Sequence, residues 1–132
     1  MARSQTKTPP LPTSAELDIL AVLWQRGPST IREVHEALGK DSIYNTTLKQ
    51  MVLMTEKGLL ARSERFRSHV YEACAPQEQT QKQIAGDLLM RAFGGSAKSL
   101  VLGALAARPV SKEELEEIRK TLDTIQKGKA AK

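Results

Sequence analysis

The stretch YNTTLKQMVLMTEK, residues 44–57, and its continuation GLLARSERFRSHVYEAC, residues 58–74, is where the chain changes period. On a helical wheel Tyr44, Thr47, Leu48, Met51 and Met54 form an inward stripe, while Asn45, Thr46, Lys49 and Gln50 gather on an outward face. That outward face consists of hydrogen-bonding groups with one positive charge, and no acidic residue appears before Glu56. Gly58 ends the helix. Beyond it Leu59, Ala61 and Ser63, then Ser68, Val70, Glu72 and Cys74, alternate with Leu60, Arg62, His69, Tyr71 and Ala73, the two-residue period of a hairpin. The tip, Glu64 to Arg67, together with Arg62, sets three arginines against one glutamate.

Upstream, Thr13 and Glu16 stand at capping-box spacing, and Leu17, Leu20, Ala21 and Trp24 follow as the apolar stripe of a first helix ending near Gln25. Gly27-Pro28 stops it. Ser29-Thr30 with Glu33 caps a short second helix with the stripe Ile31, Val34 and Leu38, closed by Gly39, and Asp41-Ser42 opens the third. Residues 1–12 contain Pro9, Pro10 and Pro12 among polar and basic neighbours and read as a flexible arm.

Downstream of Pro76 the helical period returns. Gln77 to Phe93 presents Ile84, Leu88, Leu89 and Ala92, with Gly94-Gly95 at its end, and Ser96 caps a short apolar helix over Ala97 to Ala107. Pro109 and the Ser111/Glu114 box start a last helix carrying Leu115, Ile118, Leu122 and Ile125. The tail, residues 128–132, is expected to fray. The expected organisation is an arm over 1–12, a first domain over 13–76, a helical dimerisation domain over 77–127 and the tail.

Three helices followed by a basic hairpin is the order of a winged helix-turn-helix, mainly α with a small β wing, here followed by a three-helix dimerisation arm. A helix fits the DNA major groove with its N-terminal residues at the base edges, and the preceding helix crosses the backbone. The expected DNA contacts are Ser42, Tyr44, Asn45, Thr46, Lys49 and Gln50 from the helix and its approach. Arg62, Arg65, Arg67 and His69 of the hairpin would meet phosphates or the minor groove. In the C-terminal region Leu88, Leu100, Val101, Leu105, Leu115, Ile118 and Leu122 offer more apolar surface than about 56 residues can bury alone, so pairing with a second copy is expected. Two-fold symmetry then calls for an inverted-repeat DNA site.

The 132 residues carry 20 Lys+Arg, 15 Asp+Glu and one Cys. A net charge of +5 favours an anionic partner, but it splits almost evenly at residue 76, so attraction to DNA must come from local arrangement. One cysteine closes no intramolecular disulfide, and the most apolar run, Ser99 to Ala107, is too short to span a bilayer. A cytoplasmic location is expected. His35 and His69 have no ligand-spaced partners, and no nucleophile–base pair, carboxylate pair or phosphate loop is spaced for catalysis, so neither enzyme activity nor a metal or other cofactor is expected. Trp24, Met51 and Met54 are expected in the core, Cys74 buried and inert, and Glu113, Glu114, Glu116 and Glu117 complementing the last helix's dipole.

The chain closely resembles the penicillinase-repressor family of bacterial transcriptional regulators. The resemblance rests on TSAELDILAVLW at 13–24, Tyr44-Asn-Thr-Thr47, Glu56-Lys-Gly-Leu-Leu60, and Phe93-Gly-Gly through Leu100-Val-Leu102 to Glu114-Leu-Glu-Glu-Ile-Arg119. It implies a homodimeric repressor whose operators are inverted repeats of TACA/TGTA type, released in some members when a membrane sensor protease cuts the C-terminal region. Leu53 stands where family members often carry arginine. Gly103-Ala104 stands where cleaved members have an asparagine–phenylalanine pair. No cysteine follows Cys74, which excludes the Cys-x-Cys copper chemistry of one branch. The alternative reading is a winged-helix module whose third helix binds another protein.

Overall fold

The computed structural model describes residues 10–39 and 42–130, with the side chains of 129 and 130 left aside. Most of the expected arm and the last two tail residues lie outside them, as does Asp41. The elements run α1 (Ser14–Arg26), α2 (Ile31–Leu38), α3 (Tyr44–Lys57), β1 (Leu60–Arg65), β2 (Ser68–Ala73), α4 (Gln77–Arg91), α5 (Ala97–Ala107) and α6 (Lys112–Ala130). This is the expected winged-helix order. Among the described residues no helix is long and apolar enough to cross a membrane. Packing divides the chain into two compact units, after Ala85.

In the first unit α1 and α2 both begin with complete capping boxes. Thr13 Oγ1 accepts from Glu16 N at 3.2 Å while Glu16 Oε1 accepts from Thr13 N at 3.0 Å, and Thr30 and Glu33 repeat the exchange. The core gathers Ile19, Leu20, Leu23, Val34, Met51, Met54, Leu59, Leu60 and Tyr71. The buried line of α1 is therefore Glu16, Ile19, Leu20 and Leu23, rotated from the expected Leu17–Ala21–Trp24 stripe; Ala21 is exposed and Trp24 half-buried. The rotation arises because Glu16 turns inward although it is charged. Lys57 Nζ and the Thr13 amide satisfy its carboxylate, so a polar residue occupies a core position. Trp24 instead spends its indole N–H on Ala75 O, at 3.0 Å, and fastens α1 to the chain leaving the hairpin.

Gly58, in the left-handed region at φ 89°, ends α3 and lets Leu59 N reach Met54 O at 2.9 Å. Only Gly58 and the buried Leu59 separate α3 from β1. β1 and β2 pair antiparallel with Arg62 opposite Tyr71, Glu64 opposite His69 and Arg65 opposite Ser68. Phe66 and Arg67 form a two-residue turn with φ 51° and 68°, a geometry suited to Asn-Gly that costs about 1 kcal/mol or more at each larger residue. At its base the hairpin is bonded to the α1–α2 loop, with Ser29 N to Tyr71 O at 3.0 Å and Tyr71 N to Ser29 O at 2.8 Å. The first helical turns of α4 belong to this unit, past the boundary expected at residue 76, and Thr80 is buried there.

The second unit contains the rest of α4, with α5 and α6. Ser96 Oγ accepts from Ser99 N at 3.0 Å and Ser111 Oγ from Glu114 N at 3.1 Å, forming the expected caps on the serine side. The Phe93 ring lies against Gly103, 3.4 Å from where a Cβ would project. α6 runs past Gly128 to Ala130, since one glycine lowers helix stability without ending a helix. No residue from 81 to 128 is buried.

Candidate nucleic-acid interface

α3 is oriented from within by Thr47, Met51 and Met54, which are buried, and this turns its first two turns outward. Asn45, Thr46 and Lys49 are exposed there, as expected. Gln50 is half-buried, and its Oε1 is a buried acceptor without a partner among the described residues. Unlike α1 and α2, α3 has no side-chain cap: its N-cap is Ile43, and its first turn holds no acidic residue. Positive partial charge at a helix start is thus left uncompensated by the cap or first turn.

Two details differ from the expected arrangement. Ser42 does not cap α3; its Oγ lies 2.8 Å from Gly39 O and 3.2 Å from His35 Nδ1, fixing the α2–α3 turn instead. The hydroxyl turns back because the helix starts two residues later, at Tyr44, which leaves Ser42 outside cap position. Tyr44 is not inward-facing. Tyr44 is 37% exposed, with the Arg32 guanidinium 5.6 Å over its ring and the His35 ring edge-on at 5.5 Å. These contacts to α2 replace core burial for a side chain too large for the first turn's inner face.

The hairpin separates the four basic wing residues. The pairing register puts Arg62 and His69 on the ribbon face of Tyr71, Arg65 on the face of Val70, and Arg67 in the turn. Arg62 lines a recess with Val52, Thr55, Glu56 and Tyr71, and so belongs to the junction between wing and α3 rather than to the tip. Arg65 acts at a distance on Glu33, whose carboxyl is held below its ordinary range first by the Thr30 amide, with Arg26 and Arg65 contributing.

Sequence reasoning passed over Arg32, Val52 and Phe66. Arg32 is exposed on α2 beside Tyr44, and a cation on the helix before the one expected in the major groove was the available signal. Val52 and Leu53, 40% and 48% exposed, add an apolar strip along α3 next to Lys49. Phe66 is 91% exposed. Cys74, expected buried, is exposed; it lies just past the end of β2, yet the protein around its sulfur, and then Glu72, still push its thiol pKa up.

The model of the penicillinase repressor family matches residues 12–124. The chain belongs to the penicillinase repressor family. Penicillinase repressors are transcriptional regulators, not enzymes. A penicillinase repressor from Bacillus licheniformis is 28% identical over 84% of this chain and 88% of its own length. The transcriptional regulator BlaI of Mycobacterium tuberculosis is 29% identical over 86% of this chain and 83% of its own. Among solved structures, the YusO protein of Bacillus subtilis aligns with a TM-score of 0.49 at 17% identity, over 88% of this chain and 75% of that one. The penicillinase-repressor match begins one residue before the α1 cap and runs into the middle of α6, so it spans both units.

Proposed function

We propose that this penicillinase-repressor chain is a cytoplasmic homodimer that represses transcription by occupying an inverted-repeat operator, one α3 in each of two successive major grooves. The observation that carries the reading is the exposed start of α3. Asn45, Thr46 and Lys49 stand clear of the core on a helix with no side-chain cap and no acid in its first turn. Asparagine, lysine and glutamine are suited to base edges, and Arg32, Arg65 and Arg67 to the phosphates on either side.

Pairing is supported by the second unit. Its apolar positions Leu88, Val101 and Leu122 are 43–58% exposed, and Leu100, Leu105, Leu115 and Ile118 are half-buried at most. Burying such a stripe contributes about 25 cal/mol for each Å² removed from water, and a second copy supplies the matching face. Release by a membrane sensor protease is carried by family likeness alone, with Gly103-Ala104 in α5 as the counterpart of the cleaved pair.

Fluorescence anisotropy against a TACA/TGTA inverted-repeat duplex and a scrambled duplex, at low and physiological salt, tests the reading. Tight binding to the repeat alone supports it; equal binding to both that vanishes with salt overturns it. The exposed strip of Val52 and Leu53 is the feature that favours a protein partner for α3, and that reading predicts no salt-sensitive DNA affinity at all.

A further inference from the structure

We infer that Phe66 is an apolar wedge at the wing tip that enters the DNA minor groove beside the half-site read by α3; this rests on the DNA-binding reading above. The hairpin turn demands positive φ at both of its central residues, and it holds Phe66 and Arg67 at 51° and 68°. Glycine or asparagine adopts those angles with far less strain, and the hairpin's own stability favours them. The phenylalanine gains nothing from the fold in return, since it is 91% exposed, more than any other large apolar side chain among the described residues. A residue that opposes local stability and packs against nothing inside its own unit is explained by what it meets outside.

The neighbours narrow that partner. Phe66 is flanked directly by Arg65 and Arg67, so the tip is one ring between two cations. A protein interface of useful strength needs a broad apolar area, which a single ring does not provide. The walls of a DNA minor groove are anionic, apolar side chains can wedge between its base steps, and a narrow groove concentrates negative potential that draws arginine in. A ring seated there partly unstacks one base step and bends the duplex, most easily at pyrimidine–purine steps.

The test uses the full chain and duplexes that the wild-type protein selects from a random-sequence pool. Phe66→Asn keeps the turn's geometry, so its thermal midpoint should equal or exceed that of wild type. Its affinity for the selected duplexes should fall about ten-fold, the scale of losing one aromatic contact to a base. The slope of log affinity against log salt should stay the same, and the bend reported by energy transfer between duplex ends should shrink. Phe66→Leu should recover most of both. Undiminished affinity and bend in Phe66→Asn overturn the wedge alone. So does a loss accompanied by a flatter salt slope, because the ring would then act only by placing the arginines. A wild-type protein that selects no duplex overturns the DNA reading, and the wedge with it.

Discussion

Lys57 Nζ lies 2.6 Å from Glu16 Oε2, so the last turn of α3 is tied to the first turn of α1. The same glutamate closes the Thr13 capping box with its other oxygen. One side chain therefore fixes the start of α1 and the far end of α3. Burial works against ionising this carboxyl, but the bonds from Lys57 and Thr13 outweigh it and set its pKa below the ordinary 4.5.

Replacing Glu16 with Ala should cost about 2 kcal/mol, the sum of a lost cap and a buried acceptor whose partners are left unpaired. Urea unfolding at neutral pH measures it, and a loss below about 0.5 kcal/mol would mean the pair is solvated in solution.

Acid should weaken the first unit through the same group. A depressed pKa contributes stability that is complete above 4.5 and fades as pH falls through the lower folded-state value. Glu33, also depressed, adds a second such group. Glu16→Gln should flatten the fall of the unfolding midpoint below pH 4.5, and an unchanged curve would assign acid sensitivity elsewhere.

Lys49→Ala should weaken binding to the inverted repeat about ten-fold while leaving scrambled DNA nearly unaffected, as expected for a base-edge contact worth about 1–3 kcal/mol. The Arg65→Ala, Arg67→Ala double variant should do the opposite, lowering both affinities and reducing the salt slope by about two. Anisotropy titrations over a salt series separate the outcomes.

Arg32→Ala should reduce the salt slope by about one and loosen Tyr44, whose ring the guanidinium covers. Arg32→Lys should keep the slope and lose part of the affinity, since lysine retains charge without the planar face. An Arg32→Lys variant that binds as tightly as wild type would show that stacking on Tyr44 is idle.

Leu122→Asp should give a monomer by sedimentation velocity, with weak operator binding, because the stripe of α6 is half to fully exposed within one chain. A variant that still sediments as a dimer would move the interface to α4 and α5.

Much of this molecule can be read without coordinates. The α2 boundaries, the end of α3, the hairpin and the α1 and α2 caps follow from local rules, in which a box such as Thr30/Glu33 or a stop such as Gly58 acts within four residues. What escapes is what depends on partners distant in sequence. The inward turn of Glu16 needs Lys57, 41 residues away, and without it the charge looks like solvent-facing punctuation. Tyr44 has the spacing of a core residue and is diverted by Arg32 and His35. The wing arginines look like one cluster along the chain, and only the strand register distributes them over two faces and a turn. Phe66 lies in the tip that the sequence already marks, but only the turn's geometry shows it held at positive φ and 91% exposed.

The two residues between α3 and β1 have a further consequence. Gly58 donates its N–H to Met54 O and Thr55 O and Leu59 is sealed in the core, so α3 and the wing share a joint with no slack. On the proposed docking, they would act together as a ruler laid along the duplex, with a built-in distance between what α3 touches and what the hairpin touches. Such a ruler tolerates a changed base better than a changed length. Inserting one base pair between the two contact zones advances the groove by about 3.4 Å and rotates it about a tenth of a turn, and one of the two grips must let go.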